Sequence, residues 1–255
     1  MTTASSRVPG LPASAFERGY YFHMAVVCAV VAFLGFAPTY WMPMTEGRLN
    51  VPPVIHVHAL VFFMWALFLV AQTWLAATRR LASHRAMGMF AISLATTMTI
   101  MGVLVAIDRM RAAAAAGQKE AGLAFSIVPL GSILLFAVIF GFAVANVRRP
   151  DWHKRLMLAG SISILDAPIA RWFVTFLAPE PPSGPPPVAV DIGPSAVALM
   201  LLGIAMFADR RNNGRIHRAY WIVCGAYVAL KVLQVPLSTT AQWHAVADWV
   251  MRLAG

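Results

Sequence analysis

Six polar side chains lie where the 255-residue chain is otherwise apolar: His58, Gln72, Asp166, Arg171, Lys231 and Gln234. Each falls in a hydrophobic run of roughly the ~20 residues that cross a bilayer. Ionisable groups at that depth cost several kcal/mol unless partnered, so each marks a functional candidate. Asp166 lies about ten residues into its run and Lys231 about twelve into its own. Both reach the midplane, and an Asp166–Lys231 ion pair explains them together, since either charge alone would be driven toward neutrality. Such a pair suits a transporter with a charge-compensated or proton-coupled site, and Pro168 and Pro236 would break the two helices beside it.

A second chemistry starts from His58. His58, Phe62, Trp65, Leu69 and Gln72 follow steps of 4, 3, 4 and 3, which places them on one helical stripe. A histidine inside a helical bundle is what a b-type haem needs as an axial ligand, and its propionates favour an arginine such as Arg171. A quinone head needs less: His58 and Gln234, with Gln72 further along, in an apolar pocket. His58, Gln72, Arg171 and Gln234 are therefore the cofactor-binding candidates, with haem b or quinone as the cofactor. A seventh-helix lysine also allows a retinal Schiff base at Lys231 with Asp166 as counter-ion. An inward packing seam is the plainer account of the stripe.

Three further histidines share a setting. His84, His153 and His217 each stand in an arginine-rich loop and precede a basic residue, at separations of 69 and 64 residues. The recurrence suggests three related helical hairpins added to a first helix. If the loops converge, the three imidazoles could bind a metal, or join the arginines around an anionic lipid headgroup. Arginine-rich loops with a polar helix start need no ligand to explain them.

The elements that must position these residues follow from composition. Hydrophobic residues make up 60% and charged residues 12%, and the mean hydropathy is +0.70, which excludes an ordinary soluble domain with ~25% charged residues. Seven runs are predicted to span: about Tyr20 to Trp41, Pro53 to Ala77, Ala86 to Ile107, Gly122 to Val147, Leu156 to Ala178, Ile192 to Ala208 and Ala219 to Leu237. The fold class is all-α, a single seven-helix membrane domain over the whole chain.

The net charge of +10 does not indicate nucleic acid, because the basic residues sit in short loops beside apolar runs. Thirteen lie on one side (Arg7, Arg18, Arg79, Arg80, Arg85, Arg148, Arg149, Lys154, Arg155, Arg210, Arg211, Arg215, Arg218) and five on the other (Arg48, Arg109, Arg111, Lys119, Arg252). The positive-inside rule then predicts a bacterial inner-membrane protein with a cytoplasmic N-terminus and a periplasmic C-terminus. Pro179 to Pro187 reads as a stiff polyproline-type spacer able to dock a protein partner, and Ala241 to Leu253 as a short interfacial helix. These two features also fit an assembly partner with no ligand of its own.

The stretches His56 to Leu75, Ser83 to Gly88, Asp151 to Leu158 and Ile216 to Trp221 resemble a group of bacterial multi-pass membrane proteins that carry His-x-His and His-Arg-x-x-Gly elements. The resemblance places those elements at His56, His58, Trp65, Gln72, His84, Arg85 and Gly88. It implies a multi-pass membrane fold and no particular activity.

Overall fold

The computed structural model describes residues 15–178 and 183–253, with residues 15–18 as backbone only. Arg7, the Arg18 side chain and residues 179–182 of the proline-rich loop lie outside the described residues. Among the described residues the chain is all-helical, and seven helices are long and apolar enough to cross a membrane. They are α1 (Gly19–Thr45), α2 (Pro53–Ala77), α3 (Leu81–Ala115), α4 (Lys119–Ala145), α5 (Pro150–Phe176), α6 (Val188–Asn213) and α7 (Arg218–Leu237). A shorter α8 (Ala241–Arg252) follows. Alternation puts the loops α2–α3, α4–α5 and α6–α7 at one end, the basic face, and the remaining loops at the far face.

Several helices are longer than their apolar runs. α3 continues through Asp108, Arg109 and Arg111 to Ala115, so residues expected in a loop are helical and the connection to α4 is Ala116–Gln118, with Gly117 at φ +75°. That left-handed residue ends the helix without the Cβ clash another side chain would suffer. α5 begins at Pro150 and α6 runs on to Asn213, which draws Arg155 and Asp209 inside helices.

Prolines set the breaks. Pro168 cannot donate to the carbonyl of Ile164 and its ring would strike it, so α5 parts at residues 163–165 and restarts at Asp166. Pro129 divides α4 at Ser126 by the same means, and beside Pro38 α1 takes a π turn over Ala37–Trp41. Pro236 leaves α7 helical to Leu237.

Two apolar cores share α4. One joins it to α1, α5, α6 and α7 around Leu156, Leu202 and Tyr220; the other joins it to α2 and α3 around Trp65, Met98 and Phe136. In lipid the hydrophobic effect does not press helices together, so close approach of small residues must. Ala25, Ala143, Ala159, Ala205 and Ala219 are fully buried. At Gly35 a methyl would stand 2.5 Å from Pro168 Cβ and 2.6 Å from its carbonyl oxygen. Gly35→Ala is thus expected to force α1 off α5 and cost about 1–3 kcal/mol, seen as a lower midpoint of thermal unfolding in detergent. Gly88→Ala, whose added methyl meets nothing within 4 Å, is the control and should leave the midpoint unchanged or raise it. Equal effects would contradict this packing.

α8 lies against the far-face ends of α3 and α4. Trp243 Nε1 donates to the Leu123 carbonyl at 2.9 Å, Lys119 pairs with Asp248 at 2.7 Å, and Arg111 donates to the Met251 carbonyl at 2.9 Å. Ala247 is buried beneath while Val246 and Trp249 stay exposed.

Candidate functional site

Four helices bring their polar residues to one buried cluster. Lys231 of α7 points its Nζ at Asp166 Oδ2 (2.5 Å), Asp191 Oδ2 (2.9 Å) and Ser132 Oγ (3.0 Å). Asp191 Oδ2 also accepts from Gln234 Nε2 at 2.8 Å and from Ser195 Oγ at 3.1 Å. Tyr227 donates its hydroxyl to the Ser195 carbonyl at 3.3 Å, and its ring lies 5.5 Å from Lys231 Nζ. Asp166, Asp191, Lys231 and Gln234 are all buried.

Local sequence explains each placement. Tyr227, Lys231 and Gln234 are spaced 4 and 3 residues apart and share one face of α7. Asp166 lies in the first turn of the second half of α5, a start created by Pro168. Asp191 closes a short 3-10 turn at Val188–Asp191 and stands at the N-cap position of the α-helical part of α6. Both carboxylates thus stand at helix N-termini, where the helix dipole favours negative charge.

The two acids are not equivalent. Three donors converge on Asp191 Oδ2. Asp166 faces the ammonium without a well-aligned hydrogen bond, and among the described residues neither of its oxygens accepts a well-formed one. One ammonium facing two ionised carboxylates leaves an excess negative charge in a sealed interior, and each uncompensated charge there costs several kcal/mol.

The other cofactor candidates do not join this cluster into one site. Gln234 is committed to Asp191. His58 sits near the start of α2 with its ring stacked on Phe62 at 4.1 Å. Gln72 is fourteen positions further along the same helix, roughly 21 Å at 1.5 Å per residue, buried and with neither amide atom partnered. Arg171 is exposed on α5 with its guanidinium 5.7 Å over Phe36. The structure does not bring all four residues to one place. His244 on α8 bonds Glu120 and the Ser238 carbonyl.

At the basic face, His84 and His153 use the same device: their Nδ1 atoms bond the carbonyls of Gln72 (3.3 Å) and Ala143 (2.9 Å), each near the end of the preceding helix. Their rings are 6.4 Å apart. His217 differs, since it lies edge-on to Trp152 and caps α7 by accepting from the Ala219 amide at 3.1 Å. The three do not converge, and among the described residues no group of three or more His, Cys, Asp or Glu side chains is placed to hold a metal.

Beside His217 lies a second charged cluster that loop-based reading of the sequence missed. Arg155, 3% exposed, donates through Nε (2.9 Å) and Nη2 (2.5 Å) to Asp209 Oδ1, and Asp209 is 4% exposed. Asn213 Nδ2 (2.9 Å) and the His217 amide (2.7 Å) complete its shell. The cluster ties α5 to the α6–α7 connection.

Burial, reinforced by the positive charge of Arg155, lowers the pKa of His217 from the ordinary 6.5. The folded state thus binds fewer protons than the unfolded one, so this histidine's contribution to stability is complete above 6.5 and is lost as pH falls. The thermal midpoint should drop between neutral and mildly acidic pH, and His217→Asn, which keeps a capping side chain, should flatten that slope. An unchanged slope would remove His217 as its source.

Compared with protein-family models, curated proteins and solved structures, the chain matches none. It is a seven-helix membrane protein whose chemistry must be argued from its own residues.

Proposed function

We propose that the protein is a proton-coupled transporter in which Asp166 takes up and releases the coupled proton. The observation that carries this reading is the buried group of two carboxylates on one ammonium, Asp166 and Asp191 on Lys231. With Asp191 ionised against Lys231, a proton on Asp166 makes the cluster neutral. Loss of that proton creates the uncompensated charge, which a conformational change or a second solute must relieve. The break within α5 and the 3-10 start of α6 bring helix ends and acids together, as in transporter sites built on discontinuous helices.

By the positive-inside rule the basic face lies in the cytoplasm of a bacterial inner membrane, and its arginines meet anionic lipid headgroups. Arg155, taken up by Asp209, leaves that tally without reversing it. The Lys231 cluster then lies in the periplasmic half, and the proline-rich loop on the periplasmic side offers a docking surface.

The test is transport by purified protein in liposomes loaded with a pH-sensitive dye and offered a mixed pool of small organic solutes. Solute entry accompanied by proton movement in the native protein, and uncoupled or abolished in Asp166→Asn, is expected. Solute entry without proton movement, or coupling that survives Asp166→Asn, would overturn the reading.

A further inference from the structure

Arg171 is left over by the Lys231 cluster. It lies five residues beyond Asp166 on α5, closer to the far face, and among the described residues it has no carboxylate partner. The charged group that acts on it is another cation, Arg109. A guanidinium does not deprotonate in proteins, so Arg171 cannot escape the cost of its setting by becoming neutral. Its side chain is exposed, so a ligand can reach it.

The surroundings are donors and aromatic walls. Trp41 Nε1 is buried with no acceptor, although its ring packs on Phe63 at 4.7 Å. Phe36, beneath the guanidinium, meets the same Phe63 at 5.8 Å. His58, stacked on Phe62, adds a further ring to this wall. One cation and an unsatisfied indole N–H, with no acid among the described residues to answer Arg171, ask for an anionic oxygen group. The rings beside them ask for an apolar body.

We infer that Arg171, with Trp41, binds the carboxylate or phosphate head of an amphiphilic anion whose apolar part lies against Phe36 and Phe62. This deepens the transporter reading by naming the class of solute, while the binding itself does not depend on proton coupling. Two sources share the chemistry, a free organic anion and an anionic lipid.

The test uses the full chain in neutral detergent with benzoate, benzyl alcohol and inorganic phosphate, and in nanodiscs with and without phosphatidylglycerol. For a free anion, benzoate raises the thermal midpoint saturably and benzyl alcohol does not. Arg171→Gln then weakens benzoate roughly ten- to a hundredfold, the worth of a charge-assisted hydrogen-bond pair. Arg171→Lys keeps the charge but not the two-pronged geometry and falls between. For a lipid, phosphatidylglycerol stabilises the native protein and not Arg171→Gln, while benzoate and phosphate have no effect. Asp166→Asn retains the binding in either case, which separates failure of proton coupling from failure of this site. If no anion and no anionic lipid distinguishes native protein from Arg171→Gln, Arg171 only extends its head toward the interface and the inference falls.

Discussion

Replacing Lys231 by methionine is expected to destabilise the protein by about 3–5 kcal/mol, the usual cost of removing one partner from a buried ion pair. Asp191 then keeps Gln234 and Ser195 as donors but loses its counter-charge, and Asp166 loses its ion-pair partner. Asp166→Asn should cost far less, because Lys231 and Asp191 remain a neutral pair at 2.9 Å. Combining Lys231→Met with Asp166→Asn and Asp191→Asn should recover part of the loss, since no charge is left buried. Unfolding free energies measured in mixed detergent micelles give the ordering directly. Equal and additive losses for all three single changes would refute a shared charge cluster.

Asp209→Ala is expected to be comparably severe, about 3–5 kcal/mol, for a different reason. Arg155 is buried and always charged, and its Nε and Nη2 lose their acceptor together. The His217 amide and Asn213 lose theirs as well. Asp151, which faces Arg155 at 3.3 Å from the exposed side of α5, offers only a weak substitute. Arg155→Met paired with Asp209→Leu should be milder than Asp209→Ala alone. A loss of no more than about 1 kcal/mol for Asp209→Ala, the range of an exposed salt bridge, would show that the cluster does not hold the α6–α7 connection. Unlike the Lys231 series, this change should leave the titration of Asp166 intact in the fraction that folds.

The spans were legible because apolar runs of membrane-crossing length have few competing explanations. Depth along a run also brought Asp166 and Lys231 to the same height. Height does not say which wall of the bundle a residue belongs to. His58, Arg171 and Gln234 lie at similar heights, yet Gln234 turns toward Asp191, His58 stacks on Phe62, and Arg171 covers Phe36. Asp191 escaped notice because it stands at the mouth of its run, where acids are ordinary helix starts; a short turn and the long reach of lysine bring it into the cluster. A signal was present in α7, where Tyr227, Lys231 and Gln234 fall on one face. Arg155 and Asp209 were hidden by helices that outrun their apolar segments, so that apparent loop charges are buried by about a turn.

Proton coupling through Asp166 requires that this buried carboxyl hold a proton at neutral pH. Infrared difference spectroscopy of the protein through a pH titration reads this as the C=O stretch of a protonated carboxylic acid buried from water. At neutral pH the account predicts such a band in the native protein, shifted in heavy water and absent from Asp166→Asn. A native spectrum without the band, or a band that persists unchanged in Asp166→Asn, would contradict it.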